Sequence, residues 1–205
     1  MSQSEVAYRY SNSCIAMFAR TPVLGQVKTR LIPALGEQGA LDMHLQLMHR
    51  QIEVLNKSTQ CCAQLWVDQS VEHPALKKFN GEVKLQKGEN LGDKMCHTAQ
   101  KVLQQFSRVL IIGSDCPGID DAYLEQALQA LDKNTIDVVV GPAIDGGYVL
   151  IAMKQPQREI FQDIDWGSEL VLQQTVDKLQ TCGLRFFLLP ALNDIDTVED
   201  LKSLL

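Results

Sequence analysis

Short apolar runs alternate with amphipathic helical stretches along almost the whole chain, and this alternation restricts the fold more than any other feature. Cys14 to Ala19, Leu65 to Val67, Val83 to Leu85, Val109 to Ile112, Val138 to Val140, Tyr148 to Ile151 and Phe186 to Leu189 read as strands. Between them, Leu41, Leu45, Met48, Ile52 and Leu55 fall at spacings of four and three, which is one face of a helix. Met95, Ala99, Val102, Leu103 and Phe106 repeat that pattern, as do Leu124, Ala127, Leu128 and Leu131, then Leu172, Val176 and Leu179. A closing helix is predicted over Thr197 to Leu205. Strands that alternate with helices imply an α/β fold with a mainly parallel sheet covered on both faces.

A chain of 205 residues has the length of one domain, and no repeat or linker interrupts it. Residues 1–12 form a polar tail in this reading, and 13–205 the single domain. At 45% apolar content the chain is neither disordered nor membrane-spanning, and no apolar stretch approaches the roughly 18 residues of a spanning helix. The first dozen residues lack the apolar segment of a signal peptide, so the expected compartment is the cytoplasm. A net charge of −6 argues against nucleic-acid binding but leaves small anionic ligands open. The six cysteines form no C-x-x-C pair, and the four histidines make no zinc pattern.

In such sheets ligands bind beyond the carboxyl ends of the strands. That rule singles out three segments. The loop after the first strand carries Arg20, Lys28 and Arg30 around a Pro and a Gly, and these cations suit phosphates as well as they suit a solvated turn. It is not a P-loop, and no G-x-G exists in the chain. After the most apolar strand stands Gly113-Ser114-Asp115-Cys116-Pro117-Gly118. Helix capping there falls to Asp120 or Asp121, which leaves Asp115 available to Mg²⁺ or Mn²⁺ beside phosphate oxygens. The third segment, Asp145-Gly146-Gly147-Tyr148, is either a hairpin turn or a place where a ligand approaches the backbone closely. Asp196 precedes a Thr197–Asp200 capping box and offers a second metal oxygen. Trp166 stands among Asp163, Asp165 and Glu169, where it either stacks on a sugar or base or closes the core.

Taken in order, FARTPVLGQVKTRL, GSDCPG, GPAIDGGYVLIAM, DIDWGSE and DIDTVEDL resemble a family of small bacterial proteins in the nucleotide-diphospho-sugar transferase superfamily. Its members are often labelled glycosyltransferases of arsenosugar-biosynthesis type. The resemblance runs from about residue 13 to 205 and implies a three-layer, Rossmann-like GT-A fold. It also implies Mg²⁺ or Mn²⁺ on Asp115 and Asp196 and phosphates on Lys28 and Arg30; the neighbouring Arg20 and Ser114 are expected around the nucleotide as well. Asp145, Gly146, Gly147 and Tyr148 would then lie at the acceptor side; by its own chemistry Trp166 is expected to contact the substrate, and Asp145 and Asp165 to carry the reaction. KTRL is particularly similar to the loop of phospholactate guanylyltransferases. The G-x-G-x-R loop of many sugar nucleotidyltransferases is absent, and one aspartate stands where many glycosyltransferases have an Asp-x-Asp pair.

These residues lead to an expected metal-dependent glycosyltransferase that takes a nucleotide sugar and a small-molecule acceptor. The alternative is a nucleotidyltransferase that joins an NTP to a phosphorylated small molecule and releases pyrophosphate. A non-catalytic nucleotide-binding protein on the same fold is the third possibility. Neither nucleic acid nor membrane is an expected partner.

Overall fold

The computed structural model describes residues 7–202. In chain order its elements are β1 (Ser13–Ala19), α1 (Ile32–Lys57), β2 (Cys62–Val67), β3 (Glu82–Leu85), α2 (Leu91–Val102), β4 (Arg108–Gly113), α3 (Asp121–Asp132), β5 (Val138–Pro142), β6 (Tyr148–Met153), α4 (Val171–Thr181), β7 (Phe186–Leu188) and α5 (Val198–Leu201). One seven-stranded sheet runs in the order β3-β2-β1-β4-β6-β5-β7. Only β6 is antiparallel to its neighbours β4 and β5, so the sheet is mainly parallel, as the alternation implies.

The period-two geometry of the strands divides the core into two layers. Ile15 and Met17 of β1, with Leu110 and Ile112 of β4, face α1 and α3, where Met48, Ile52, Leu124 and Leu128 complete the packing. Cys14 and Ala16, with Val109 and Ile111, face the opposite way, toward Met95, Ala99 and Val102 of α2 and Leu179 of α4. Each fully buried side chain of this size contributes about 1.5–3 kcal/mol relative to exposure. Both faces of β1 and β4 are buried because helices cover the sheet on each side.

Three local results go beyond the pattern. Helix α1 starts at Ile32, well before its apolar stripe, and kinks at Gly36. The closing helix is short, with Thr197 as its cap and Asp200 completing the capping box; positions 203–205 of the predicted helix lie outside the described residues. Within the predicted N-terminal tail, residues 1–6 also lie outside them, whereas the backbone N–H groups of Arg9 and Tyr10 donate to the carbonyls of Thr59 and Gln60. Among the described residues no helix is long and apolar enough to cross a membrane.

The β5–β6 hairpin has the largest effect on where a ligand can sit. Its reversal brings the turn at Ala143–Gly147 to the same edge of the sheet as the carboxyl ends of β1 and β4. The Ala143 N–H donates to the Gly147 carbonyl across the turn, at 3.0 Å. The Asp-Gly-Gly sequence is thus a hairpin turn and also stands at the ligand-binding edge.

Candidate active site

A cavity of about 780 Å³ opens at that edge. Its floor is the carboxyl end of β4. There Gly113 admits the side chain of Asp115, whose Oδ1 would lie 2.8 Å from any Cβ at that position. The Ile195 N–H donates to the Asp115 carbonyl at 3.1 Å, which docks the segment carrying Asp194 and Asp196 beside the β4 loop. Ile195 is fully buried, so the two flanking aspartates fall on one side in an extended Asp-Ile-Asp alternation, and both line the cavity.

The loop after β1 supplies the cations. Lys28 has a left-handed backbone, φ 46° and ψ 44°, which costs a residue with a side chain about 1–2 kcal/mol. Its ammonium donates to Asp115 Oδ2 at 2.9 Å and lies 3.5 Å from Asp196 Oδ1. The Lys28 side chain is only 5% exposed. That departs from the general expectation that a loop cation stays in solvent, and the physical reason is the pair of carboxylates that neutralises it. Arg30 is solvent-facing and donates to Asp196 Oδ2 at 2.8 Å. Arg20 donates to the Gln26 carbonyl at 3.3 Å and lines the same cavity.

Hydrogen bonds root these loops in the sheet. The Thr21 N–H donates to Asp68 Oδ1 at 2.7 Å, and Gln86 Nε2 donates to the carbonyls of Trp66 and Ala19 at 2.8 and 3.3 Å. The carboxyl ends of β1, β2 and β3 are therefore tied side to side. His44 approaches the Arg20 carbonyl through Nε2 at 3.0 Å, and burial holds its imidazole below the usual range.

The carboxylates differ in their charge environment. Burial alone would raise the Asp115 carboxyl, but the charge and hydrogen bond of Lys28 outweigh it and hold it below the ordinary range. Asp194 moves the other way. Burial, with the neighbouring charges of Asp115 and Asp145, pushes its carboxyl up to about 6. A carboxyl raised in this way inside a cavity is the kind of group from which general bases are drawn.

Of the residues singled out from the sequence, the cavity brings together Arg20, Lys28, Arg30, Ser114, Asp115, Asp145, Gly147, Tyr148, Trp166 and Asp196. It does not take in Asp165 or Gly146. Asp165 is turned to α4, where its Oδ2 accepts from Gln174 Nε2 at 2.8 Å and its N–H donates to Gln174 Oε1 at 2.8 Å. Gly146, at φ +91°, instead packs on the Glu169 backbone, and its carbonyl accepts the Leu172 N–H at 2.8 Å. Trp166 does both things its neighbourhood allows. Its ring meets Tyr148 edge-on at 6.3 Å and covers Gly92, while it also lines the cavity. Asp194, Gln86, Asn90 and Lys94 line the cavity as well, although their sequence pattern alone did not mark them for a role there.

The residues present fit a divalent cation shared with a ligand. Among the described residues no three His, Cys, Asp or Glu side chains are gathered closely enough to enclose a metal by themselves. A hard cation such as Mg²⁺ commonly takes one or two carboxylates together with substrate phosphates. Asp115 and Asp196 are such a pair, and the Lys28 ammonium between them marks a place where they accept positive charge.

The chain matches, over residues 51–168, the family described as "Uncharacterized protein conserved in bacteria (DUF2064)". It is similar to a protein of solved structure from Desulfovibrio desulfuricans G20, provisionally named a nucleotide-diphospho-sugar transferase. That similarity has 32% identity and a TM-score of 0.86, covering 95% of this chain and 86% of the other. It shares its fold with CMP:2-keto-3-deoxy-manno-octonic acid synthetase in complex with CTP, at 14% identity and a TM-score of 0.60 over 95% and 97% of the two chains. A glucosyl-3-phosphoglycerate synthase from Mycobacterium tuberculosis, in complex with Mg²⁺ and UDP, shares it at 10% identity and a TM-score of 0.55 over 93% and 72%. No protein of curated function matches the sequence. The α/β fold expected from the resemblance is the one these structures have.

Proposed function

The chain belongs to the DUF2064 family of bacterial proteins, and from that premise and its pocket we propose a divalent-metal-dependent transferase that takes a nucleotide sugar as donor and a small molecule as acceptor. One observation carries this reading. A single cavity combines the carboxylates Asp115, Asp194 and Asp196, the cations Arg20 and Arg30, and the aromatic pair Tyr148 and Trp166. Diphosphate, metal and sugar each find matching chemistry there.

In this proposal Asp115 and Asp196 hold the cation, and Arg30 and Arg20 bind phosphate oxygens as charge-assisted donors. Mg²⁺ or Mn²⁺, when bound, supplies Lewis-acid stabilisation of the negative charge on the leaving phosphate. Ser114, buried beside Asp115, offers a hydroxyl to the nucleotide. Trp166 presents apolar surface to a sugar face, and Gly147 leaves the hairpin turn open to the acceptor. Asp145 orients acceptor hydroxyls from the turn. Asp194, raised toward neutrality, is better matched than an ordinary carboxylate to take a proton from one of them. Asp165 acts at one remove, by fixing the Trp166 segment to α4 through Gln174.

A second reading, nucleotidyl transfer from an NTP to a phosphorylated small molecule, is favoured by a different observation. Arg20, Lys28 and Arg30 all line the cavity, and Asp165, one of the acids expected beside the sugar, does not. The leaving group separates the two. Incubation with nucleotide sugars or NTPs, Mn²⁺ and candidate acceptors is expected to release nucleoside diphosphate or monophosphate from a sugar donor without pyrophosphate. Pyrophosphate release from an NTP, with sugar donors left intact, would overturn glycosyl transfer in favour of the second reading.

A further inference from the structure

Lys28 has features that phosphate binding alone does not explain. Its ammonium bridges Asp115 and Asp196, at 2.9 and 3.5 Å, the two carboxylates assigned to the cation. Its side chain is 5% exposed, while those of Asp115 and Asp196 are 37% and 35% exposed. It is therefore lodged on the inner side of a pair that remains open to the pocket. Its backbone is held in the left-handed region, a conformation that persists only where surrounding structure over-determines it.

Resting on the reading above, we propose that Lys28 is the resident counter-ion of the metal-binding aspartates. It holds the pair together before ligands arrive and is transferred to a phosphate oxygen when the divalent cation takes its place. An ammonium and a divalent cation repel strongly when both press on the same two carboxylates at short range. Arg30 already covers the second oxygen of Asp196, so little uncompensated negative charge is left for an added cation. Metal without phosphate must therefore displace Lys28 into a pocket where no phosphate anion awaits it, only the remaining carboxylates Asp68, Glu89, Asp145 and Asp194. Metal with phosphate provides that anion. The two ligands then promote each other's binding, and the coupling is equal in both directions.

The test uses Mn²⁺ alone on the full chain, with binding read from the paramagnetic resonance of free Mn²⁺. Lys28→Met is expected to bind Mn²⁺ about tenfold more tightly than wild type, within the usual range of coupling between linked sites. Inorganic pyrophosphate is expected to strengthen Mn²⁺ binding to wild type more than to the variant. Equal Mn²⁺ affinity in the two proteins, or none in either, overturns the proposal. Should Lys28→Met fail to fold, Lys28→Gln gives the same comparison. Wild type itself supplies a further measurement, since a buried, ion-paired ammonium gives a protected ¹⁵N lysine signal. That signal is expected to stay in place with pyrophosphate absent and to shift when Mg²⁺ and pyrophosphate are added together, as the ammonium exchanges carboxylate for phosphate partners; a signal unchanged at saturating Mg²⁺ and pyrophosphate overturns the proposal. None of these measurements needs a sugar donor. Lack of turnover with every donor would therefore sink the transferase reading while the Lys28 comparison still gave its answer.

Discussion

Lys28 Nζ lies 2.9 Å from Asp115 Oδ2, although the two stand 87 positions apart in the chain. This ion pair joins the loop after β1 to the end of β4, so the charge that organises the pocket also ties two loops of the fold together. Removing either partner alone leaves the other without its main counter-charge.

Asp115→Asn is therefore expected to abolish Mn²⁺-dependent nucleotide binding and also to cost about 1–3 kcal/mol in urea denaturation. That is less than the roughly 3–5 kcal/mol of a fully buried pair, because Asp196 remains near Lys28 and Asp115 is partly open to water. The Lys28→Met, Asp115→Asn double variant should recover part of that loss. Strict additivity of the two single effects would show that the pair contributes nothing to stability.

Arg30 should behave differently from Lys28. Its side chain is 61% exposed, and an exposed pair with Asp196 is worth about 0–1 kcal/mol. Arg30→Ala should leave the unfolding midpoint nearly unchanged while weakening nucleotide binding by about 1.5–3 kcal/mol, the scale of a hydrogen bond to a charged group. A lower midpoint with unaltered affinity would assign Arg30 a structural duty instead.

Asp194 sets a pH dependence whose sign follows from its raised carboxyl. Between the ordinary value of 3.8 and about 6 the folded protein holds the proton more tightly than the unfolded chain. The stability that Asp194 contributes is thus full below about pH 4 and is lost as pH rises through about 6. In metal-free buffer, Asp194→Asn should be more stable than wild type at pH 7.5 by about 1–2 kcal/mol, a figure reduced for solvent screening. The difference should shrink toward pH 4. Thermal melts across that range that show a constant difference would contradict the assignment, and loss of turnover in the same variant would support its role as base.

Gly146→Ala should be among the most damaging small substitutions. Its φ of +91° disfavours any side chain, and an added Cβ would sit 2.1 Å from the Glu169 carbonyl oxygen. Strain and overpacking together are expected to cost about 2–4 kcal/mol. Gly147→Ala is the control, because the nearest atom to its Cβ is a carboxylate oxygen of Asp145 at 3.2 Å and its backbone lies outside the left-handed region. Equal unfolding midpoints for the two variants would remove the Glu169 contact as the cause.

Strand β4 was legible because Val109 to Ile112 is apolar on both faces, as a strand between two helical layers must be. That Asp115 lines the cavity was legible from its place after that strand. Asp165 was misleading because it is next to Trp166: the tight turn in which the Trp166 N–H bonds the Ile164 carbonyl sends the indole inward and the carboxylate toward Gln174. Asp194 has no capping box beside it to draw the eye, yet the Asp-Ile-Asp alternation around a core isoleucine already puts it on the same side as Asp196. The burial of Lys28 had no local signal at all. It depends on carboxylates delivered by β4 and by the segment before α5, and only the assembled sheet brings them together.

The ties from Thr21 to Asp68 and from Gln86 to the carbonyls of Ala19 and Trp66 have a thermodynamic consequence. Loops already bound to one another have little conformational entropy left to lose when a ligand arrives. The surface this rim would offer a phosphate is mostly charged, so little apolar area would be buried and the heat capacity would move little. Association on this rim should accordingly be enthalpic, with a shallow temperature dependence. Only the part of a ligand that reaches Tyr148 and Trp166 should add the negative heat-capacity change of apolar contact.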